Sequence, residues 1–316
     1  MTAVLVTGAS GLVGKALSVS LGARGRLVRS AIRTVTAQPQ TQEYAVGDIG
    51  PATDWTAAVT GCDAVVHLAA HVHVMSRRVH DSGGEYHRVN VEGSENLARQ
   101  AARAGVRRFV FLSSVKVNGE ASARAFVESD PPNPFDAYGA SKSEAEKRLH
   151  AVSAETGMEI VVVRPPLVYG PGVKANFLSL LRTVDAGIPL PFRSIDNRRS
   201  LVYVGNLVDA LVACLTLPAA ANRTFFVSDD HDVSTPELIR EIATAFGRKP
   251  MLFLCPPALL RCAGLLTGRT AQVGRLTESL QVDVTAVKTA LSWQPPFSLQ
   301  QGLADTVSWY RTARVG

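Results

Sequence analysis

The chain has 316 residues, 46% of them apolar and 19% charged, which allows a sizeable core and argues against disorder. The net charge is +6, yet the arginines are scattered (Arg24, Arg26, Arg29, Arg33, Arg77, Arg78, Arg103, Arg107 and Arg108), with no basic block and no interleaved aromatics. That argues against a nucleic-acid tract and leaves a phosphate-bearing small molecule as the partner the charge suits. Cys62, Cys214, Cys255 and Cys262 form no Cys-x-x-Cys pair and no metal-ligand spacing, and read as reduced core residues of a cytosolic protein. No signal-peptide pattern opens the chain. The most apolar stretch, residues 251–268, is broken by Pro256-Pro257 and carries Arg261, so it reads as a buried or interfacial helix rather than a membrane span.

Residues 3–7 (AVLVT) are a short apolar run without alternation, the pattern of a central parallel strand buried on both faces. They run into Gly8-Ala9-Ser10-Gly11-Leu12-Val13-Gly14 and then a helix to about residue 24. A Gly-x-x-Gly-x-x-Gly between strand and helix permits a tight turn and lets the helix-start N–H groups face a pyrophosphate. Residues 26–32 form the second strand. An Asp or Glu at its end would take the adenosine ribose hydroxyls and mark NAD. The chain has Arg29-Ser30-Ala31-Ile32-Arg33 there instead. Arginine and serine suit a 2′-phosphate, so NADP(H) is the expected cofactor, with Arg33 the first contact and Ser30 the second; NAD(H) stays open.

Gly47-Asp48-Ile49 follows a short third strand and places Asp48 either against the adenine amino group or in an ordinary turn. Residues 64–70 (AVVHLAA) are a fourth buried strand, and its small terminal residues suit a wall for the cofactor ribose. His67, His71, His73, His80 and His87 lie on that strand end and the loop after it, without a carboxylate or thiolate cluster, so no metal site is expected. Residues 85–104 read as a helix in which Asn90 bonds backbone and Gly93 permits close packing. The fifth strand, 108–113, delivers Ser113-Ser114-Val115-Lys116-Val117-Asn118-Gly119 to the carboxyl edge of the sheet, where ligands of open parallel sheets bind.

After Pro131, Pro132 and Pro134 comes Tyr138-Gly139-Ala140-Ser141-Lys142, opening a helical run over 143–154. Residues four apart on a helix share a face, with Cβ atoms roughly 5–6 Å apart. A free tyrosine, with a pKa near ~10, is a poor acid or base at neutral pH. A neighbouring ammonium lowers that value, which makes the pair a tunable acid/base for a carbonyl or alcohol. The sixth strand, 160–164, ends in Pro165-Pro166-Leu167-Val168-Tyr169-Gly170-Pro171-Gly172.

Taken in order, TGASGLVG, GDI, AVVHLAA, NVEG, FLSSVKVNG, YGASK and RPPLVYGPG resemble an extended short-chain dehydrogenase/reductase of the nucleotide-sugar epimerase/dehydratase type. Residues 198–211 (RRSLVYVGNLVDAL) and 290–296 (ALSWQPP) extend the resemblance. It implies that Tyr138 is the acid/base, that Lys142 lowers its pKa and holds the nicotinamide ribose, and that Ser114 binds the reacting oxygen beside a structural Ser113. It matches Gly8, Ser10, Gly11, Leu12, Val13 and Gly14 to the pyrophosphate loop, and Asp48 and Ile49 to the adenine contact. Leu68, Ala69 and Ala70 match the cofactor wall, and Pro165 to Val168 the nicotinamide wall. Asn176 falls where the family binds the diphosphate. Arg199 and Arg275 are candidate phosphate clamps, because guanidinium suits phosphate oxygens.

Departures from the family pattern narrow the chemistry. Dehydratases of this type carry an Asp-Glu pair directly after the catalytic hydroxyl; Val115-Lys116 stands there, so dehydration is not expected. Lys116 and Asn118 are expected either to read the sugar's substituents, such as an N-acetyl group, or to stabilise the loop. The SSVKVNGE loop, AAHVHVM and residues 198–211 resemble bacterial reductases of a UDP-4-keto-6-deoxy-N-acetylhexosamine. Their products are UDP-N-acetylquinovosamine or UDP-N-acetylfucosamine for surface polysaccharide. That resemblance implies hydride transfer from the nicotinamide to the sugar C4 carbonyl, with a proton from Tyr138. The alternative is a UDP-hexose or UDP-N-acetylhexosamine 4-epimerase with tightly bound NAD. A non-catalytic dinucleotide sensor is a third reading, against which the set Ser114, Tyr138 and Lys142 stands.

The expected architecture is α/β: a Rossmann-like doubly wound parallel sheet (1–166 and 201–228) with a smaller C-terminal substrate-binding lobe (167–200 and 229–316). The resemblance also implies a cytoplasmic homodimer paired through 85–104 and 137–154.

Overall fold

A computed structural model describes residues 3–34, 42–72, 84–268 and 270–315. Arg77, Arg78, His80 and the last three residues of the AAHVHVM segment, His73 among them, lie outside the described residues. The strands are β1 (Ala3–Thr7), β2 (Leu27–Ile32), β3 (Gln42–Ala45), β4 (Cys62–His67), β5 (Arg108–Leu112), β6 (Glu159–Arg164), β7 (Leu167–Tyr169), β8 (Leu201–Tyr203) and β9 (Thr224–Phe226). Seven of them form one parallel sheet in the order β3-β2-β1-β4-β5-β6-β9. The chain runs outward from β1 to β3, then returns to place β4 on the other side of β1. That reversal makes the carboxyl ends of β1 and β4 the switch point at which such sheets bind ligands. β7 and β8 pair in parallel as a separate two-stranded ribbon.

The helices are α1 (Leu12–Ala23), α2 (Thr56–Val59), α3 (Gly84–Tyr86), α4 (Gly93–Arg103), α5 (Ala137–Thr156), α6 (Ala175–Asp185), α7 (Val204–Thr216), α8 (Thr235–Ala245), α9 (Pro257–Leu266), α10 (Thr270–Thr277), α11 (Thr285–Leu291) and α12 (Leu299–Val315). Strand side chains alternate between two cores. Val4, Val6, Val66, Val110 and Val161 pack with Leu17 and Leu21 of α1 and Leu207 and Leu211 of α7. Ala3, Leu5, Val65, Phe109, Phe111 and Val162 pack with Leu97 and Ala101 of α4 and Leu149 and Val152 of α5. The sheet is therefore covered on both faces, which is why its strands read as continuous apolar runs.

Three expectations change. Residues 85–104 are not one regular helix: α3 and α4 are joined by a π-helical turn, His87–Glu92. The widened turn faces Asn90 toward the backbone of His71, while Gly93 lies where a Cβ would come 2.7 Å from Ile49. α5 begins well before residue 143, because Asp136 accepts the Gly139 N–H at 2.7 Å and caps the helix; it ends at Gly157, in the left-handed region. Of the cysteines, only Cys62 and Cys214 are buried, and Cys262 is exposed. No helix among the described residues is long and apolar enough to cross a membrane.

Candidate active site

At the switch point, Gly11 N–H closes the turn onto Gly8 O at 2.9 Å, and α1 starts from Gly11 without a side-chain cap. Its first N–H groups are thus free to face an anion. Gly8 has φ +65°, and a Cβ there would sit 2.8 Å from Ala69 N; one on Gly14 would strike Gly8 O and lie 2.7 Å from the Ala9 Cα. The glycines let the β1 and β4 loops touch, so the residues of this turn fit a dinucleotide pyrophosphate.

A buried chain of hydrogen bonds fixes both loops. Thr7 Oγ1 accepts the N–H groups of Leu68 and Ala69, each at 3.1 Å, leaving its proton for His67 Nδ1 at 2.7 Å. His67 Nε2–H then donates to Ser94 Oγ at 2.9 Å, and Ser94 donates to the Asn90 carbonyl at 2.6 Å. Burial, and then the charge of Lys142, hold the His67 pKa down to about 3, so the ring is neutral. Asn90 accepts from His71 N at 2.7 Å and donates to Ser141 of α5 at 2.9 Å. His67 is a core residue, and among the described residues no His/Cys/Asp/Glu group could hold a metal.

Ser114 follows β5 directly, and the start of α5, which carries Tyr138 and Lys142, packs against the turn that Ser114 opens. Ser114 Oγ accepts the Lys116 N–H at 3.2 Å at the start of a single 3₁₀ turn, Val115–Val117. The Lys116 carbonyl lies against α5 so closely that a Cβ on Gly139 would come within 2.6 Å of it. Lys142 is buried; its Nζ donates to Leu112 O at 2.8 Å and sits 4.3 Å from the Phe111 ring centroid. Burial lowers its pKa to about 7, against the charge of Glu146, which raises it. Here the sequence expectation is corrected. Tyr138 is raised above its ordinary value by burial, then by Asp136 and Tyr86.

Ser113 donates to Glu146, in the structural role expected of it. Asn118 is buried: Arg164 donates to its Oδ1 at 3.0 Å, and its Nδ2 donates to Asp130 O at 3.2 Å. It stabilises the loop, one of the two roles expected of it. Lys116 Nζ bridges Asp136 and Glu120, both at 2.5 Å, so its ammonium is already engaged. Arg275 reaches Glu120 at 3.8 Å. Arg199 lies close enough to Arg275 that burial and then that second guanidinium lower its pKa. Two arginines therefore converge beside the Ser114 loop, with Glu120 as their internal counter-ion, while Asn176 is exposed near the start of α6. Sequence reasoning missed Glu120, Asp136, Glu146 and Arg164. Asp136 alone carried a local signal, as an N-cap residue three positions before a glycine.

On the cofactor side, Ser10 is exposed at the turn, and Leu12, Val13, Leu68, Ala69 and Ala70 are part-buried around it. The Pro165 carbonyl accepts Val115 N–H at 3.0 Å, and Val168 lies in β7, so the wall segment is tied to the Ser114 loop. Ser30 is buried in the sheet, sharing its side with Val28. Arg33 is exposed but pairs with Asp48 at 2.9 Å. The same contact takes up the aspartate expected at the adenine.

A glycine turn at the switch point of a doubly wound sheet is the architecture of dinucleotide-dependent enzymes. The chain belongs to the NAD dependent epimerase/dehydratase family, whose model matches residues 4–227. It is similar to the UDP-glucose 4-epimerase of Vibrio cholerae, at 45% identity over 98% of this chain and 96% of that one. Among solved structures it is similar to MoeE5 in complex with UDP-glucose and NAD, at 26% identity and a TM-score of 0.80, covering 98% of this chain and 99% of that one. The UDP-glucuronic acid 4-epimerase from Bacillus cereus, in complex with NAD, shares the fold with a TM-score of 0.80 at 20% identity over 100% and 98% of the two chains. The protein is thus an enzyme of the short-chain dehydrogenase/reductase type with nucleotide-sugar epimerases among its relatives.

Proposed function

We propose that the protein is a UDP-hexose 4-epimerase that retains NAD between turnovers. The observation that carries this reading is the similarity to a UDP-glucose 4-epimerase along nearly the whole chain. The Arg33–Asp48 pair and the burial of Ser30 supply no ready 2′-phosphate contact, which favours NAD over NADP. The glycine turn holds the pyrophosphate, and the segments 68–70 and 165–168 wall the ribose and nicotinamide. When bound, NAD supplies reversible hydride exchange with the sugar's C4. Tyr138 moves the proton at the C4 oxygen, and Ser114 hydrogen-bonds that oxygen as its charge develops. Lys142, when charged, supports the phenolate form of Tyr138. Arg199 and Arg275 face the diphosphate, exchanging the Glu120 carboxylate for phosphate oxygens. We assign 1–166 and 201–228 to the dinucleotide, 167–200 and 229–316 to the sugar nucleotide, and a homodimer to the faces of α4 and α5.

Reduction of a UDP-4-keto-6-deoxy-N-acetylhexosamine is the second reading. It rests on the resemblance of the SSVKVNGE loop, and the burial of Asn118 removes one of its two proposed sugar contacts. The test is NMR of UDP-glucose and UDP-galactose with wild type and Tyr138→Phe. The wild type should interconvert the two, and the variant should lose about 10²–10⁴-fold in rate. A fully active variant would refute the assignment of Tyr138.

A further inference from the structure

Asp136 spans two elements. Its Oδ1 accepts the Gly139 N–H of α5 at 2.7 Å, and its Oδ2 accepts the Lys116 ammonium at 2.5 Å. A serine at this cap would satisfy the helix N–H alone; a carboxylate adds a charged acceptor for a second element. Lys116 in turn touches both sides of the junction. Its N–H donates to Ser114 Oγ at 3.2 Å, its carbonyl lies where a Cβ on Gly139 would come within 2.6 Å of it, and its Nζ reaches Asp136. Because Ser114 Oγ accepts that N–H, its own proton is left for a second acceptor, such as a sugar oxygen. The chain ahead of α5 is tied to the same turn, since Asn133 N donates to Val117 O at 2.9 Å. The Lys116 and Asp136 side chains are 29% and 34% exposed, so solvent screens the pair only in part.

We propose that Asp136, acting through Lys116, is a positioning residue for the proton step, fixing the turn that opens at Ser114 against the helix start that carries Tyr138. The inference rests on the roles of those two side chains under the epimerase reading. A hydroxyl that bonds the C4 oxygen while a phenol exchanges its proton tolerates little relative movement, and a displacement of ~1 Å can cost ~10²-fold in rate. The same carboxylate acts on Tyr138 by charge: burial, then Asp136, then Tyr86 oppose ionisation of the phenol. The Lys116 ammonium offsets the Asp136 charge, with Glu120 and Arg275 behind it. On α5 itself, Lys142 lies one turn on from Tyr138. From α3, the Tyr86 ring stands 6.3 Å from that of Tyr138, with the His71 ring 5.0 Å beyond it. Removing the acid or the base of the pair should therefore move the phenol in opposite directions.

The test is a double-mutant cycle on the NAD-bound enzyme with Asp136→Asn, Lys116→Met and the two combined. Asparagine keeps a cap oxygen and methionine most of the lysine stem, so all three should stay folded, which the melting temperature checks. With UDP-glucose and UDP-galactose, each single variant should lose about tenfold or more in kcat at its own pH optimum, and the double should be no slower than the worse single. In Asp136→Asn the KM should stay within about twofold, the mark of a fault in the proton step rather than in binding. Ionisation of the phenol, followed by ultraviolet absorbance against Tyr138→Phe, needs no sugar. It should occur at a pH about 0.5–1.5 lower in Asp136→Asn, and higher or out of reach in Lys116→Met. Single variants within about twofold of wild type in kcat, or losses that multiply in the double, would overturn the proposal. So would a phenol no easier to ionise in Asp136→Asn than in wild type. A wild type that interconverts neither sugar would instead sink the epimerase reading, and the phenol titration alone would then decide the role of Asp136.

Discussion

The buried pair beneath the Ser114 loop should be the most sensitive single point in the site. Glu146 and Arg164 have side chains only 6% and 7% exposed. Arg164 Nε donates to Glu146 Oε1 at 3.0 Å, a second guanidinium N–H bonds Oε2, and Ser113 donates to Oε1. The remaining arm of Arg164 holds Asn118 in the loop after Ser114. Removing one partner of such a pair costs about 3–5 kcal/mol, because the other charge stays buried without compensation. Glu146→Gln keeps the shape and one acceptor oxygen, so the lower end, about 3 kcal/mol, applies. At about 2.1 cal/mol/K of unfolding entropy per residue, a chain of 316 residues should lose about 4–5 °C in Tm. Scanning calorimetry near neutral pH measures this, and Glu146→Leu/Arg164→Met, which removes both charges, should regain most of the loss. The substitution also removes the charge that raises the Lys142 pKa, so that value should fall further below about 7 and activity should decline more at pH 8 than at pH 6. A Glu146→Gln protein that melts within about 1 °C of wild type, with an unshifted pH profile, would refute the reasoning.

Gly14→Ala should leave the protein folded but strip it of copurifying nucleotide, because the new Cβ meets the Gly8 carbonyl and Ala9 Cα at a cost of about 1–3 kcal/mol; nucleotide released on denaturation measures it. On the NAD reading, Arg33→Ala should change NADPH affinity by less than about threefold; isothermal titration calorimetry should find a loss of about tenfold or more if Arg33 binds a 2′-phosphate, because its exposed pair with Asp48 is weak enough to exchange. His67 has a folded pKa of about 3, below its unfolded value, so the stability it contributes is complete above about pH 6.5 and declines as pH falls toward 3. Tm should therefore drop more steeply over that window in wild type than in His67→Gln.

The parts of the fold that depend on local pattern were legible. Apolar runs without alternation named the central strands, and the glycine spacing placed the turn at the end of β1. The same residues carried the family resemblance, which the matched family model bears out over residues 4–227. What failed was orientation. Ser30 lies on the same side of β2 as Val28, so strand alternation turns it into the core; Arg33 lies beyond the strand and finds Asp48. Spacing put Tyr138 and Lys142 on one helix face but said nothing of the burial that dominates both pKa values. The two roles open to Asn118 could not be separated in the sequence because its partner Arg164 lies 46 positions away, and no sequence pattern announces a buried arginine at the end of β6. Lys116 looked like a free ammonium because Glu120 and Asp136 come to it from a turn and a helix cap.

The central claim is that one retained NAD returns the hydride to the sugar it came from. The direct measurement uses protein as purified, with no nucleotide added, incubated separately with UDP-glucose and UDP-galactose and followed by NMR. The account predicts the same equilibrium mixture from either side, with NAD released on denaturation and no net consumption of NADPH. Failure to interconvert the two sugars, together with stoichiometric NADPH loss on a UDP-4-keto-6-deoxy-N-acetylhexosamine, would contradict it and establish the reductase.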